Sequence, residues 1–362
     1  MVQVPLKEYT YANSRVRAMA SRLLDETTFQ QVIEASDYNR ALGVLEDTEY
    51  GPDIEEAILE GFRPTSIDRA FNHNLMRNFN KIKDFFIGRP EELLKALLSR
   101  WDLYNLKTIL RGMRALVPKA EITRNLVPIG ALDLVVLEEI LNQPDLRASL
   151  DAIVMFSPQW MIPYGQAITA VMPRYLQKND LAMIETSLDE FHYKRVSSVV
   201  KGGDSNSKLV RRVVDMEIDI INITTLLRIC GLELEEKEAG SYYIPGGILS
   251  SDDFDRILQR KRVEDLVDVL ISETPYGEPL RRAEKSFEEK GESVFQDELD
   301  KFMIRKCLHI TAEPLGIGII IMYIWRKYLE IKNLRIIIRG KSIGLIESQI
   351  RKELVLMDEE EK

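Results

Sequence analysis

The chain has 362 residues, 45% of them apolar and 30% charged, the balance of a polypeptide that buries a core rather than staying disordered. Lysine plus arginine number 49 against 58 aspartates and glutamates, and the formal net charge of −9 argues against DNA or RNA as the main partner, because counterion release needs a basic surface. Two cysteines (Cys230, Cys307) and three histidines (His73, His192, His309) fall at no metal-ligand spacing, which sets aside a zinc site and a disulfide framework and fits a reducing compartment.

Taken in chain order, the stretch Met1 to Arg15 is polar and mixed in charge, which predicts no cleaved export signal. Thr27 or Thr28 ahead of Phe29 reads as a helix start, and Gly51-Pro52 as a break. Pro90 ahead of Glu91-Glu92 opens a second helix, with apolar residues recurring at three and four positions over Glu91–Met113. The same period runs through Ala131–Leu141, Leu209–Ile229, Phe254–Ile271 and Phe302–Ile338. Gly202-Gly203 and Pro245-Gly246-Gly247 interrupt it, and Ser250-Ser251 ahead of Asp252-Asp253 supplies a capping sequence. The longest apolar run, Leu315 to Trp325, has eleven residues. A spanning helix needs about 20, so no membrane crossing is predicted. Alternation of apolar and polar residues is nowhere long enough for a sheet. The predicted class is all-α.

One decapeptide occurs three times. Asp102-Leu-Tyr-Asn105-Leu106-Lys-Thr-Ile109-Leu110-Arg111 returns as Asp219-Ile-Ile-Asn222-Ile223-Thr-Thr-Leu226-Leu227-Arg228, and again as Glu330-Ile-Lys-Asn333-Leu334-Arg-Ile-Ile337-Ile338-Arg339. The separations are 117 and 111 residues. The flanks repeat too. Pro128, Gly130 and Leu132 match Pro245, Gly247 and Leu249; Leu24-Asp25 leading to Phe29 parallels Leu249-Ser250 leading to Phe254; Thr48-x-Tyr50-Gly51 parallels Thr274-x-Tyr276-Gly277. Tyr11-Ala12-Asn13 with Arg15 and Arg17 reads as a shortened fourth copy. Three related helical domains are therefore expected, over residues 1–127, 128–244 and 245–362. Three copies about one axis would form a squat ring or funnel; a linear solenoid is the alternative, although its repeats usually run to about 30–50 residues.

On a helix at about 100° per residue, Leu103, Leu106, Ile109 and Leu110 share one stripe, with Arg111 opposite the acid and the asparagine at the stripe's border. The second copy is apolar almost all round, so its helix is expected to be covered on both sides. Asp102, Asp219 and Glu330 fall inside the stripe. A carboxylate left unpaired there costs several kcal/mol, so each is expected to accept hydrogen bonds from a neighbouring helix terminus or from a cation on a packed helix, fixing register. The competing reading is three acids that carry protons or bind metal. No ligand cluster surrounds them and no span takes them into a membrane. Arg111, Arg228 and Arg339 are expected to face solvent or a partner.

Other features point to structure. Ser251-Asp252-Asp253-Phe254-Asp255 is one position short of a DDxxD metal motif and suits a helix N-terminus better. Of Asp215, Glu217 and Asp219, two share a helix face at i and i+4, read as a solvated edge beside the repeat acid. Gly316-x-Gly318 lacks the third glycine, strand and acid of a dinucleotide loop, and no P-loop occurs. Nor does a serine or cysteine nucleophile motif. Tyr50, Tyr276, Trp101, Trp160 and Trp325 are expected as core or interface anchors, and the tail from Asp358 to Lys362 as a solvated end. No catalytic, cofactor-binding or metal-binding residue is assigned.

Three segments carry a family resemblance: Tyr11-Ala-Asn-Ser-Arg-Val-Arg-Ala-Met19, Trp101-Asp-Leu-Tyr-Asn-Leu-Lys-Thr-Ile-Leu-Arg-Gly112 and Glu313-Pro-Leu-Gly-Ile-Gly-Ile-Ile-Ile-Met-Tyr323. With the acid-x-x-Asn segments in all three places, the chain resembles the C subunit of the A/V-type ATP synthases, the counterpart of the d subunit in the eukaryotic vacuolar enzyme (V-type ATPase). The likeness runs from Tyr11 to about Leu354, the third acid being Glu where Asp is usual. It implies a funnel of three similar helical domains with pseudo-threefold arrangement. It also implies a non-catalytic central-stalk (rotor) protein, one copy per complex, bound as a peripheral protein at the cytoplasmic face of the cell membrane. Its implied partners are the proteolipid (c/K) ring and the D and F proteins of the axle, with no nucleic acid, cofactor or small-molecule substrate; other subunits handle ATP and ions. A rotary coupler of this kind needs stiffness and broad contacts, and threefold pseudo-symmetry against a ring of other order implies dispersed polar contacts. Two other classes compete: a helical protein-binding scaffold unrelated to ATPases, and an all-α enzyme such as a prenyl-transfer enzyme, for which only the incomplete Ser251–Asp255 segment speaks.

Overall fold

A computed structural model describes residues 7–59, 64–155, 162–232, 240–291, 293–310 and 316–355. Among these residues every regular element is a helix, and there are eighteen. Contacts divide the chain into two compact units, Met1–Ser149 with Leu308–Lys362 (unit 1) and Leu150–Cys307 (unit 2). Trp160, Leu315 and the tail from Asp358 lie outside the described residues.

In chain order the helices are α1 (Lys7–Ala20), α2 (Glu26–Glu34), α3 (Tyr38–Glu46), α4 (Gly51–Leu59), α5 (Pro64–Lys83), α6 (Arg89–Arg114), α7 (Lys119–Arg124), α8 (Leu134–Leu141) and α9 (Leu146–Met155). They continue as α10 (Ile162–Lys178), α11 (Leu181–Val199), α12 (Ser205–Ile229), α13 (Ser251–Leu258), α14 (Val263–Glu273), α15 (Gly277–Lys290), α16 (Ser293–Leu308), α17 (Gly318–Ser342) and α18 (Glu347–Glu353).

The three decapeptides lie on the three longest helices, α6, α12 and α17. In unit 1, α17 packs against α1, α3 and α5, while α6 packs against α7 and α8. Ile320, Ile324, Ile331, Leu334 and Ile338 are all buried, and so are Tyr323, Lys327 and Asn333 between them, so α17 is covered nearly all round. In unit 2, α10 and α11 pair, α12 packs on α11, α13 and α14, and α14 packs on α15. Ile218, Ile220, Ile223, Leu226, Leu227 and Ile229 are all buried, as the apolar circumference of the second copy requires. Each fully buried aliphatic side chain of this kind contributes about 1.5–3 kcal/mol.

Several boundaries differ from the sequence reading for local physical reasons. The cap of α2 is Asp25, whose carboxylate accepts the Thr28 amide, rather than Thr27 or Thr28. The third predicted stretch begins at Leu134 rather than Ala131, because the Ala131 and Leu132 amides bond a side chain elsewhere. Phe254–Ile271 is two helices, interrupted where the polar run Gln259 to Arg262 ends the apolar stripe. Phe302–Ile338 is divided between α16 and α17. Periodicity overlooked α5 and α11, because their inward faces carry polar residues: Asp68, Asn72, Asn74 and Asn78 on one, Glu185, Asp189 and His192 on the other. Ser250 caps α13 as expected and forms a reciprocal pair with Asp253, which gives that acidic segment its structural use.

Candidate functional site

The repeated asparagines make the same contact three times. An asparagine side chain carries an amide acceptor and an amide donor, so it can pair with a peptide group as a strand neighbour would. Asn105 Nδ2 donates to the Val127 carbonyl at 2.8 Å while Oδ1 accepts the Val127 amide at 2.7 Å. Asn222 does this with Ile244, at 2.9 Å for both bonds, and Asn333 with Val355, at 3.1 and 3.0 Å. In each case the partner lies 22 residues later. The asparagines and the residues they hold are all buried, so these bonds satisfy peptide groups that no water reaches.

The acids bind the entry to a helix. Asp102 Oδ2 and Oδ1 accept the Ala131 and Leu132 amides at 2.9 and 2.7 Å. Asp219 Oδ1 accepts the Ile248 and Leu249 amides at 2.8 and 3.3 Å. Leu132 and Leu249 each stand one residue ahead of a helix cap, Asp133 of α8 and Ser250 of α13. The third acid completes the pattern from the other end of the sequence: Glu330 Oε2 accepts the amide of Leu24 at 2.6 Å, and Leu24 precedes Asp25, the cap of α2. Positions 29 and 30 beyond Glu330 lie outside the described residues. The acid therefore holds the amide just ahead of a helix cap, where the helix dipole also favours negative charge.

Close approach of the loop to the carboxylate needs glycine. A Cβ on Gly130 would stand 2.1 Å from Asp102 Oδ1, and one on Gly247 would stand 2.1 Å from Asp219 Oδ1, with Gly247 also at φ +74°. The matched tyrosines then add a donor. Tyr276 Oη donates to Asp219 Oδ2 at 2.8 Å, and Tyr50 Oη donates to Glu330 Oε1 at 2.5 Å. Each follows a threonine that bonds back one turn and accepts the tyrosine amide, Thr274 to Leu270 and Thr48 to Leu45. Both tyrosines are core anchors as expected. Their role as donors to the repeat acids was not legible in advance, although the paired Thr-x-Tyr-Gly signal marked both positions.

Electrostatics differ between the junctions. Burial raises the Asp219 carboxyl above its ordinary value, against the lowering effect of its Tyr276, Ile248 and Leu249 donors. Burial and the Asp219 charge hold the Tyr276 phenol protonated far above its usual range. The first junction has a cation nearby: Lys83 Nζ donates to the Gly130 carbonyl at 2.6 Å, and burial lowers its pKa while the charge of Asp102 raises it. The third has a fully buried cation, Lys327, bonded to Glu49, to Tyr50 Oη at 2.7 Å and to Glu330 Oε1 at 3.1 Å. The sequence reading does not single out Lys327 or Glu49, although a lysine three residues before the acid stands on the same helix face as that acid.

The arginines of the signature are not equivalent. Arg111 and Arg228 are exposed, whereas Arg339 is half-buried and bonded to Asp68 at 3.1 Å, to the Arg124 carbonyl and to Asn125. Expected to face solvent or a partner, Arg339 keeps part of its side chain exposed while Asp68 of α5, on which α17 packs, reaches its guanidinium. Asn13 Nδ2 donates to the Gly316 carbonyl at 3.2 Å, so the shortened N-terminal copy uses its asparagine on a different partner. Trp101 and Trp325 meet within unit 1 at 5.5 Å between ring centroids, with the Arg100 guanidinium over both. Among the described residues no group of His, Cys, Asp or Glu could hold a metal ion, and no helix is long and apolar enough to cross a membrane.

A family model for the ATP synthase (C/AC39) subunit matches residues 12–353. The chain belongs to that family. It is similar to the C subunit of the V-type ATP synthase of Deinococcus radiodurans, 28% identical over 347 residues covering 96% of this chain and 91% of that protein. It is similar also to the C subunit of the A-type ATP synthase of Methanocaldococcus jannaschii, 26% identical over 97% of this chain and 87% of that one, and to that of Methanococcoides burtonii, 28% identical over 96% and 94%. Family and relatives indicate the C subunit of an A/V-type ATP synthase, one component of a larger complex. Within this C/AC39 chain, the repeated decapeptide is the part of the sequence that sets the junctions.

Proposed function

We propose that the chain is a non-catalytic rotor component of the central stalk, coupling the membrane proteolipid ring to an axle of the D and F proteins so that ion movement drives ATP synthesis or hydrolysis. The observation that carries this reading is the family match over residues 12–353, with relatives that are themselves C subunits of ATP synthases. The junctions support it mechanically. A coupler transmits torque only if its helices do not slide past one another. Buried asparagine pairs and helix-entry acids oppose sliding, because a one-residue slip would strand several buried polar groups at about 1–3 kcal/mol each. On this reading the sequence repeats correspond to three related domains, residues 1–127, 128–244 and 245–362, arranged as a pseudo-threefold funnel at the cytoplasmic face of the membrane, one copy per complex. Arg111 and Arg228, exposed at matching places in the repeat, are candidates for contact with the ring.

The test is capture of partners by the tagged full-length chain from membranes of a host carrying the complex. Recovery of proteolipid and of D with F, together with loss of ATP-driven ion pumping but not of ATP hydrolysis when the chain is omitted from reconstitution, is the expected result. Recovery of neither partner would overturn the coupling role and favour an unrelated scaffold.

A further inference from the structure

The third junction carries two charges that the second does not. Counting from the acid and from the tyrosine, Lys327 and Glu49 stand where the second junction has Met216 and Pro275, whereas Glu330, Tyr50 and Leu24 stand where it has Asp219, Tyr276 and Leu249. Asp219, Tyr276 and Leu249 make a complete junction, with no cation bonded to the acid among the described residues. The Glu49–Lys327 pair is therefore not needed to satisfy the acid. Lys327 has no exposed surface, its Nζ lies 4.1 Å from the Tyr50 ring centroid, and Glu49 is only 13% exposed.

Three physical differences follow. The second junction closes within 57 residues, whereas the third joins groups 278 to 306 residues apart, so its closure orders far more chain. Ions removed from water regain their hydration when a contact opens, so a buried ionic seam parts more readily than an apolar seam of the same size. Among the described residues the α17 side of the seam also holds a single amide, that of Leu24, where the other two acids each hold two.

We propose that the Glu49–Lys327 pair is a releasable clasp, which makes the seam between the N-terminal helices α1–α3 and α17 the place where unit 1 opens short of unfolding. The helices from Lys7 to Glu46 part from α17 as a strap and return, with the Asn13 and Leu24 bonds breaking together, while α4 stays bonded to α5 through Asp53 and Arg77. The inference concerns unit 1 alone and goes beyond the coupling role; its failure would leave that role intact.

Backbone hydrogen exchange of the full-length chain, read by mass spectrometry, tests it at the three matched leucine amides. Under native conditions Leu24 and the amides of α1–α3 should exchange together, about tenfold or more faster than Leu132 and Leu249. Lys327→Met alone leaves two buried carboxylates without their cation and should speed that exchange further. Lys327→Met combined with Glu49→Ala restores the neutral pattern of the second junction and should slow Leu24 about tenfold, towards Leu249. The clasp is wrong if wild-type Leu24 exchanges as slowly as the other two leucines. It is equally wrong if the double variant exchanges at Leu24 as fast as wild type or faster while unit 2 is unchanged. If the single variant does not fold, wild type and double variant decide between these outcomes.

Discussion

Asp219 shows how a buried acid shapes stability against pH. Its carboxyl titrates above the ordinary value of 3.8, chiefly because burial disfavours the charge. A folded pKa above the unfolded one means that the folded chain holds the proton more tightly. That contribution is present at low pH and is lost as pH rises from the unfolded value through the folded one. Asp219→Asn keeps an acceptor for the Ile248 and Leu249 amides and removes the titration. The stability of wild type relative to this variant should therefore fall as pH rises above about 4 and then level off, in urea midpoints measured across the series; a relative rise over that range would contradict the sign. The glycines facing the acids make a second residue-scale prediction. Gly130→Ala drives a methyl into the Asp102 carboxylate and should cost about 1–3 kcal/mol. Gly247→Ala should cost about 1–2 kcal/mol more, because it also forces a side chain into the left-handed region at φ +74°. Equal losses in paired denaturation curves would mean that the backbone angle is not a determinant there.

At the scale of elements, each asparagine ties a long helix to the segment 22 residues downstream, which no helix hydrogen bond could do. Replacing it with alanine strands one buried N–H and one buried C=O. Asn105→Ala and Asn222→Ala should each lower unfolding free energy by about 2–4 kcal/mol. Asn333→Ala should cost as much, because Val355 is buried like Val127 and Ile244 and loses the same pair of bonds. Urea unfolding of the three variants checks this; a clearly smaller loss at any one of them would show that its asparagine pair is not equivalent to the others. The same elements explain what was legible beforehand. Helices α6, α12 and α17 announced themselves by apolar periodicity, and their acids and asparagines by standing as polar exceptions inside it. Helices α5 and α11 did not, since their buried faces are themselves polar and periodicity sees only apolarity. Lys327 was concealed by its neighbour Arg326, since two adjacent cations look like a solvated edge until the packing turns one of them inward.

At the scale of the molecule, unit 1 is assembled from the two ends of the chain, with Leu24, Glu49 and Tyr50 closing on α17. Deleting residues 1–25 should strip Glu330 of its amide partner and α17 of α1. Exchange protection should then fall at Leu132 and along α17, while Leu249 in unit 2 keeps its protection. Uniform loss across both units would show that the N-terminal helix supports more than its own unit.

The sequence by itself determined the helical class, the threefold recurrence and the residues that had to be satisfied, because propensity, periodicity and the cost of a lone buried charge are local matters. It also carried the family, through motifs spread along nearly its whole length. Which groups satisfy those residues was decided only by tertiary structure. An amide 22 or 29 residues away, a tyrosine 57 residues away and a leucine 306 residues away are equally distant to a reader of the sequence, and only packing brings one of them within 3 Å of the acid. The same holds for Arg339, solvent-facing by helical angle yet paired with Asp68, because an angle on one helix does not say what lies across from it.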